Sequence, residues 1–258
     1  IPDTLYINKS VITIGAYNPV FCAFNPSPTF ELKNPNYSIN IDDTLLITVI
    51  NNDTIEHTFT IDGLITQNNY INAGNTESFI VKFNQAGSYA YYSKVPYGKQ
   101  LGASGIIQAG YSEHKNYYWN LFDQEEYLSV QLANGIVTSP NSSYRPQLFT
   151  INNLTYPATT SDMDGAIEEM VGDTIIISVY NSGKMHHTIH FHGYHVTILN
   201  AKKYTQYIGW SKDTFPVVID ELITLQLVPD KPGMYPVHDH NLVTVTTNAY
   251  PGGMMTKI

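Results

Sequence analysis

Asp43-Thr44-Leu45-Leu46-Ile47-Thr48-Val49-Ile50-Asn51 is written a second time, in closely matched residue types, as Asp173-Thr174-Ile175-Ile176-Ile177-Ser178-Val179-Tyr180-Asn181, an offset of 130. Each run is rich in β-branched residues. Each closes in a turn cluster, Asn51-Asn52-Asp53 or Asn181-Ser182-Gly183, so both read as strands. The register continues with His57-Thr58-Phe59-Thr60-Ile61-Asp62-Gly63 over His187-Thr188-Ile189-His190-Phe191-His192-Gly193. It resumes with Gly87-Ser88-Tyr89-Ala90-Tyr91-Tyr92-Ser93-Lys94 over Gly233-Met234-Tyr235-Pro236-Val237-His238-Asp239-His240, now at an offset of 146. The second copy therefore carries longer loops. A β unit repeated once predicts two similar domains, residues 1–111 and 112–258, with the boundary near Tyr111–His114.

The rest of the chain agrees with an all-β fold. Ser78 to Phe83 is a further strand, closed by Gln85-Ala86-Gly87, and Tyr117-Tyr118-Trp119 opens the second domain as a strand with alternate rings buried. Asp123 to Ala133 is the one helical candidate, ended by Asn134-Gly135. Charged residues make up only 14% of the 258 residues, against about 25% in ordinary domains, which excludes a charge-rich disordered chain or a coiled coil. The net charge of −9 offers no footprint for nucleic acid or anionic lipid. No apolar run reaches the about 18–20 residues of a membrane span. Cys22, the single cysteine, has no intrachain disulfide partner and reads as a small buried hydrophobe. The chain opens on Ile1; a removed upstream segment, and with it a periplasmic or secreted location, is the expectation.

Seven of the nine His lie between His186 and His240. Two His-x-His pairs stand out, His190-Phe191-His192 and His238-Asp239-His240. In a strand, residues i and i+2 share a face, so each pair aims two imidazoles one way. If the strands are neighbours, four rings converge into a metal site, and neutral imidazole suits copper, zinc, iron or nickel. The matching positions of the first copy are Thr60, Asp62, Tyr92 and Lys94. None is His, and an ammonium has no lone pair to donate. The fold does not need the four His, so they belong to function.

These stretches resemble a known family. His187-Thr188-Ile189-His190-Phe191-His192-Gly193 is similar to the His-Pro-x-His-x-His-Gly motif of multicopper oxidases. Gly233 to His240 is similar to their closing Gly-x-Tyr…His-Cys-His motif, and Gly253-Met254 to the Gly-Met that ends it. The resemblance implies two Greek-key cupredoxin-like β-sandwich domains and copper. It also exposes departures. The Cys that binds the blue type 1 copper is Asp239 here, and the second type 1 His falls at Thr244, inside a longer loop from Asn241 to Tyr250. His187 survives from that site, and Met254 matches its Met position. The family's three-copper cluster takes half of its His from the first domain, where this chain has Thr60, Asp62, Tyr92 and Lys94.

The expectation is a copper-binding protein with a non-blue site at His190, His192, His238 and His240, and no type 1 copper. A mixed site at His187 and Asp239 is the alternative; a plain hydrogen bond between His187 and Asp239 is the other reading of that pair. The rival is an active oxidoreductase using a type 2/type 3-like copper site at an oligomer seam, on a small-molecule substrate or redox partner. A third reading is a binding or structural module with a vestigial site. Two-domain relatives form trimers, which would turn a neighbour's Thr60, Asp62, Tyr92 and Lys94 toward the four His. His57 reads as a structural His, His195 as packing, and the carboxylate pairs Glu125-Glu126, Glu168-Glu169 and Asp220-Glu221 as solvated groups.

Overall fold

The computed structural model describes residues 2–66, 70–94, 97–136, 143–247 and 249–258. The repeated runs are the strands Thr44–Asn51 and Ile175–Asn181. Each sits centrally in its sheet with the same neighbours. Thr44–Asn51 pairs parallel with Pro2–Val11 and antiparallel with Thr76–Lys82. Ile175–Asn181 pairs parallel with Lys115–Gln124 and antiparallel with Leu222–Leu227.

Each of these sheets faces a second one. In the first half it holds Tyr37–Ile39, Ser104–Ala109, Gly87–Tyr92 and Thr60–Ile61; in the second half, Thr214–Val217, His187–Phe191, Pro236–Asp239 and Met255–Lys257. Alternation along Thr44–Asn51 turns Leu45, Ile47 and Val49 inward, the period-2 pattern of a half-buried strand. One core gathers Leu5, Phe24, Phe59 and Tyr91. The other gathers Trp119, Ile177, Phe191 and Leu225. A smaller cluster of Ala90, Ile106, Tyr118, Tyr180 and Leu222 joins the halves. Among the described residues, no helix is long and apolar enough to cross a membrane.

Two details differ from the sequence reading. The helix spans Glu126–Ala133, because Asp123 and Gln124 finish the strand Lys115–Gln124. Its Leu132 packs on the first core. Glu221 is fully buried, not solvated. Its carboxylate accepts the backbone N–H groups of Lys202, Lys203, Tyr204 and Leu222 at 2.8 to 3.1 Å, so it organises the turn at 202–204.

Candidate metal centre

Pairing of His187–Phe191 with Pro236–Asp239 sets His190 directly opposite His238. His192 and His240 continue the two strands: their backbone N–H groups donate to Pro236 and Thr188 carbonyls at 3.1 and 2.6 Å. The four residues share one parity and therefore one face. His187, Ile189, Phe191, Val237 and Asp239 take the other face and are buried. The ring of His190 lies 4.8, 5.7 and 5.5 Å from those of His192, His238 and His240.

Tautomers follow from acceptors. His238 Nδ1 stands 2.8 Å from the Asp239 backbone carbonyl. A carbonyl only accepts, so Nδ1 carries the proton and Nε2 keeps its lone pair. His192 Nε2 is 3.0 Å from His238 Nε2, within hydrogen-bond reach of it. About 3 Å is also the edge between two donors that each stand about 2.0 Å from one ion. His190 Nδ1 is held by the Thr214 hydroxyl at 2.7 Å, a contact that orients the ring. Partial burial, together with the charges His190, His238 and His240 would carry, holds His192 below the ordinary imidazole range, favouring the neutral ring that a metal needs. The face opens on a cavity of about 570 Å3 lined by His190, His192, His195, Asp213, Asp230 and Lys231. His195 is thus exposed on this cavity and does not pack inside.

The opposite face carries a different device. His187 is enclosed between two carboxylates: Nδ1 donates to Asp239 Oδ2 at 2.7 Å and Nε2 to Asp123 Oδ1 at 3.2 Å, with no side chain of the three exposed. Burial opposes a charge on His187, but the hydrogen bonds and charges of Asp123 and Asp239 outweigh it and lift its pKa to about 9. Burial also opposes the Asp123 charge, and the hydrogen bonds from His187 and Tyr144 overcome it and hold Asp123 below the usual carboxylate range. Asp123 further accepts the backbone N–H groups of Lys184 and Met185 at 2.9 and 3.0 Å. Gly183 makes room, since a Cβ there would fall 2.1 Å from Asp123 Oδ1.

The His187 pKa is raised over the unfolded value, so its stabilisation is complete below about pH 6.5 and is lost as pH rises through about 9. Asp123 is depressed, so its share holds above about pH 4 and is lost as acid reaches its lowered native value. The midpoint of urea unfolding is therefore expected to fall between about pH 7 and about pH 9.5, and the fall should flatten in Asp123→Asn. A midpoint that stays level in the unmodified protein would show that His187 is not charged.

The first half repeats this arrangement with the charge reversed at one position. His57, the counterpart of His187, pairs through Nε2 with Asp53 at 3.0 Å and through Nδ1 with the Ser93 hydroxyl at 2.9 Å. Lys9 adds its ammonium to Asp53 at 2.7 Å. By strand register, Lys9 occupies the place of Asp123, and Ser93 that of Asp239. Cys22, Asp53 and His57 offer donor atoms within 4.8 Å of one another. Lys9 already supplies the positive charge there, and burial, with the Asp53 charge adding to it, pushes the Cys22 thiol up.

The first-copy positions stand apart from the four His of the same chain. Asp62 accepts Tyr92 OH at 2.8 Å and Lys202 Nζ at 2.6 Å. Thr60 is buried and Lys94 exposed. His186 is exposed and accepts the Ile219 N–H at 3.4 Å, away from the four-ring face. Thr244 and Met254 are buried. Sequence reasoning missed Thr214, which no motif marks, and Asp123, which lies 64 residues from His187.

Paired sandwiches with this strand order and a histidine face define a two-domain cupredoxin protein. The model of the multicopper oxidase family matches residues 129–256. Over its whole length the chain is similar to the solved structure of the multicopper oxidase mgLAC, with a TM-score of 0.81, 19% identity and 85% of that chain covered. It is similar to the blue copper oxidase of Nitrosomonas europaea at a TM-score of 0.80 and 23% identity, covering 100% of this chain and 85% of that one. For a copper nitrite reductase of the same organism the TM-score is 0.72 and the identity 14%, covering 100% of this chain and 93% of that one. No curated protein matches the chain by sequence. Residues 129–256 are thus multicopper oxidase-like, and the whole chain has the cupredoxin-like fold of these structures.

Proposed function

We propose that the chain binds copper through His190, His192, His238 and His240, and that it has no blue type 1 centre. The observation that carries this reading is the 3.0 Å approach of His192 Nε2 to the bare Nε2 of His238, on a face where His190 and His240 also converge. Four imidazoles suit copper, which the Irving–Williams order favours over zinc and iron. A bound copper would supply Lewis-acid and one-electron chemistry at this face. The chain itself supplies the orienting contacts from Thr214 and the Asp239 carbonyl, and a cavity of about 570 Å3 beside the rings. Against a type 1 centre stand Asp239 in place of the thiolate and the engagement of both His187 nitrogens by carboxylates.

The two main cores support reading residues 1–111 and 112–258 as two domains, with the helix Glu126–Ala133 of the second reaching across to pack on the first core. Beside His240, Leu242, Val243 and Tyr250 are 63, 60 and 73% exposed. Exposed apolar side chains in the segment that follows His240 support a homotrimer in which a neighbour covers this end of the molecule. Export to the periplasm or outside the cell fits the same family. Metal analysis and light scattering on one preparation made without added metal test this. At least one copper per chain, a three-chain mass and no intense blue colour are expected. Weak uptake with no fixed stoichiometry would leave the His set vestigial. The cavity favours a second reading, an oxidoreductase acting on a small substrate. Steady turnover of phenols, ferrous iron or nitrite would establish it.

A further inference from the structure

Away from the histidine face, a cleft of about 370 Å3 lies at the seam between the halves. Its charged lining is Lys94 and Lys99 from the first half, and Lys184, Lys202, Lys203 and Asp220 from the second. Five of the chain's 13 basic residues thus meet in one cleft of a protein whose net charge is −9. Two of the five are neutralised: Lys99 by Asp220 and Lys202 by Asp62. Lys203 Nζ donates to the Ile219 carbonyl at 2.5 Å, which leaves its charge in place. Among the described residues, Lys94 and Lys184 have no carboxylate within ion-pair distance. Three ammonium charges therefore remain uncompensated around one space.

The cleft is built and not a chance gathering of surface lysines. Lys99 is only 19% exposed and its ammonium lies 4.9 and 5.4 Å from the Tyr92 and Tyr180 ring centroids. The buried Glu221 carboxylate fixes the turn that bears Lys202 and Lys203. Asp220 sits in the left-handed region at φ 60°, a conformation uncommon outside glycine that surrounding structure must hold. Like charges enclosed by low-dielectric walls raise the local potential, and a bound anion relieves it.

The geometry points to a binding site for a small polyanion, a compact molecule with two or more carboxylate or phosphate charges, gripped between the domains by Lys94, Lys184 and Lys203. The volume lies in the range of small-ligand sites and suits a molecule more than a protein surface. Within one chain the cleft shares no lining residue with the histidine face, and its charges do not depend on copper.

The test is calorimetric titration of the full chain with tricarballylate and, separately, inorganic phosphate, at a constant ionic strength of about 0.15 M to screen diffuse attraction. One saturable site per chain is expected, weakened at least about tenfold in Lys94→Gln/Lys184→Gln. Both lysines are exposed, and an unchanged unfolding midpoint would confirm that the variant folds. Tighter binding of tricarballylate assigns a polycarboxylate, and tighter binding of phosphate assigns a phosphate. Absence of saturable heat from both, equal affinity in the double variant, or loss of binding in His192→Ala/His238→Ala would each overturn the proposal. Binding of polyglutamate but of neither small anion would overturn it in favour of an acidic protein partner.

Discussion

Changing His238 and His240 together to Ala is expected to abolish tight copper binding while the fold survives. The two residues supply half of the converging rings, and they come from a single strand, so only His190 and His192 would remain. Loss of one contact that merely orients a ligand costs about 10- to 100-fold in metal affinity. Loss of two donor atoms should exceed about a hundredfold. Thr214→Val, which removes only the hydroxyl held by His190, should fall inside the smaller range. His240 is exposed and His238 half-buried, so the core is left intact. Competition against a chelator of known affinity reads the whole series. Unchanged affinity in the double variant would remove these rings from the site.

The second large effect is on stability. Asp123→Ala is expected to cost about 3–5 kcal/mol, the range for removing one partner of a buried ion pair. His187 would keep only Asp239, and the Lys184 and Met185 N–H groups would lose their acceptor. Such orphaned donors add to the cost. Urea denaturation measures it. A loss below about 1 kcal/mol, the scale of an exposed pair, would show that the three groups do not act as a buried charged unit.

Much of this was legible in the chain because β structure writes its faces with period two. The offset of 130 aligned both central strands, and the parity of His190, His192, His238 and His240 placed them on one side before any pairing was known. The pairing itself needed the structure, which sets His190 against His238. Contacts made across the sandwich left no local trace. Asp123 sits next to a helix, in a stretch that reads as its start, and only the strand register carries it to His187. Glu221 resembles any solvated acid until the turn amides close on it. The lysine cleft was equally hidden, since its members come from four separate segments and meet only when the halves dock.

The exchange of Lys9 for Asp123 constrains how the two halves diverged from a common unit. Placing Asp at position 9 while Asp53 stays would crowd two carboxylates onto the Nε2 side of His57, whereas Asp123 and Asp239 each have a ring nitrogen of His187 to themselves. Restoring a side chain at Gly183 while Asp123 stays would drive it into that carboxylate. Neither position can drift alone. Substitutions there are expected to work only in pairs, and a chimera that transplants one half's outer strand into the other must carry its matching turn along with it.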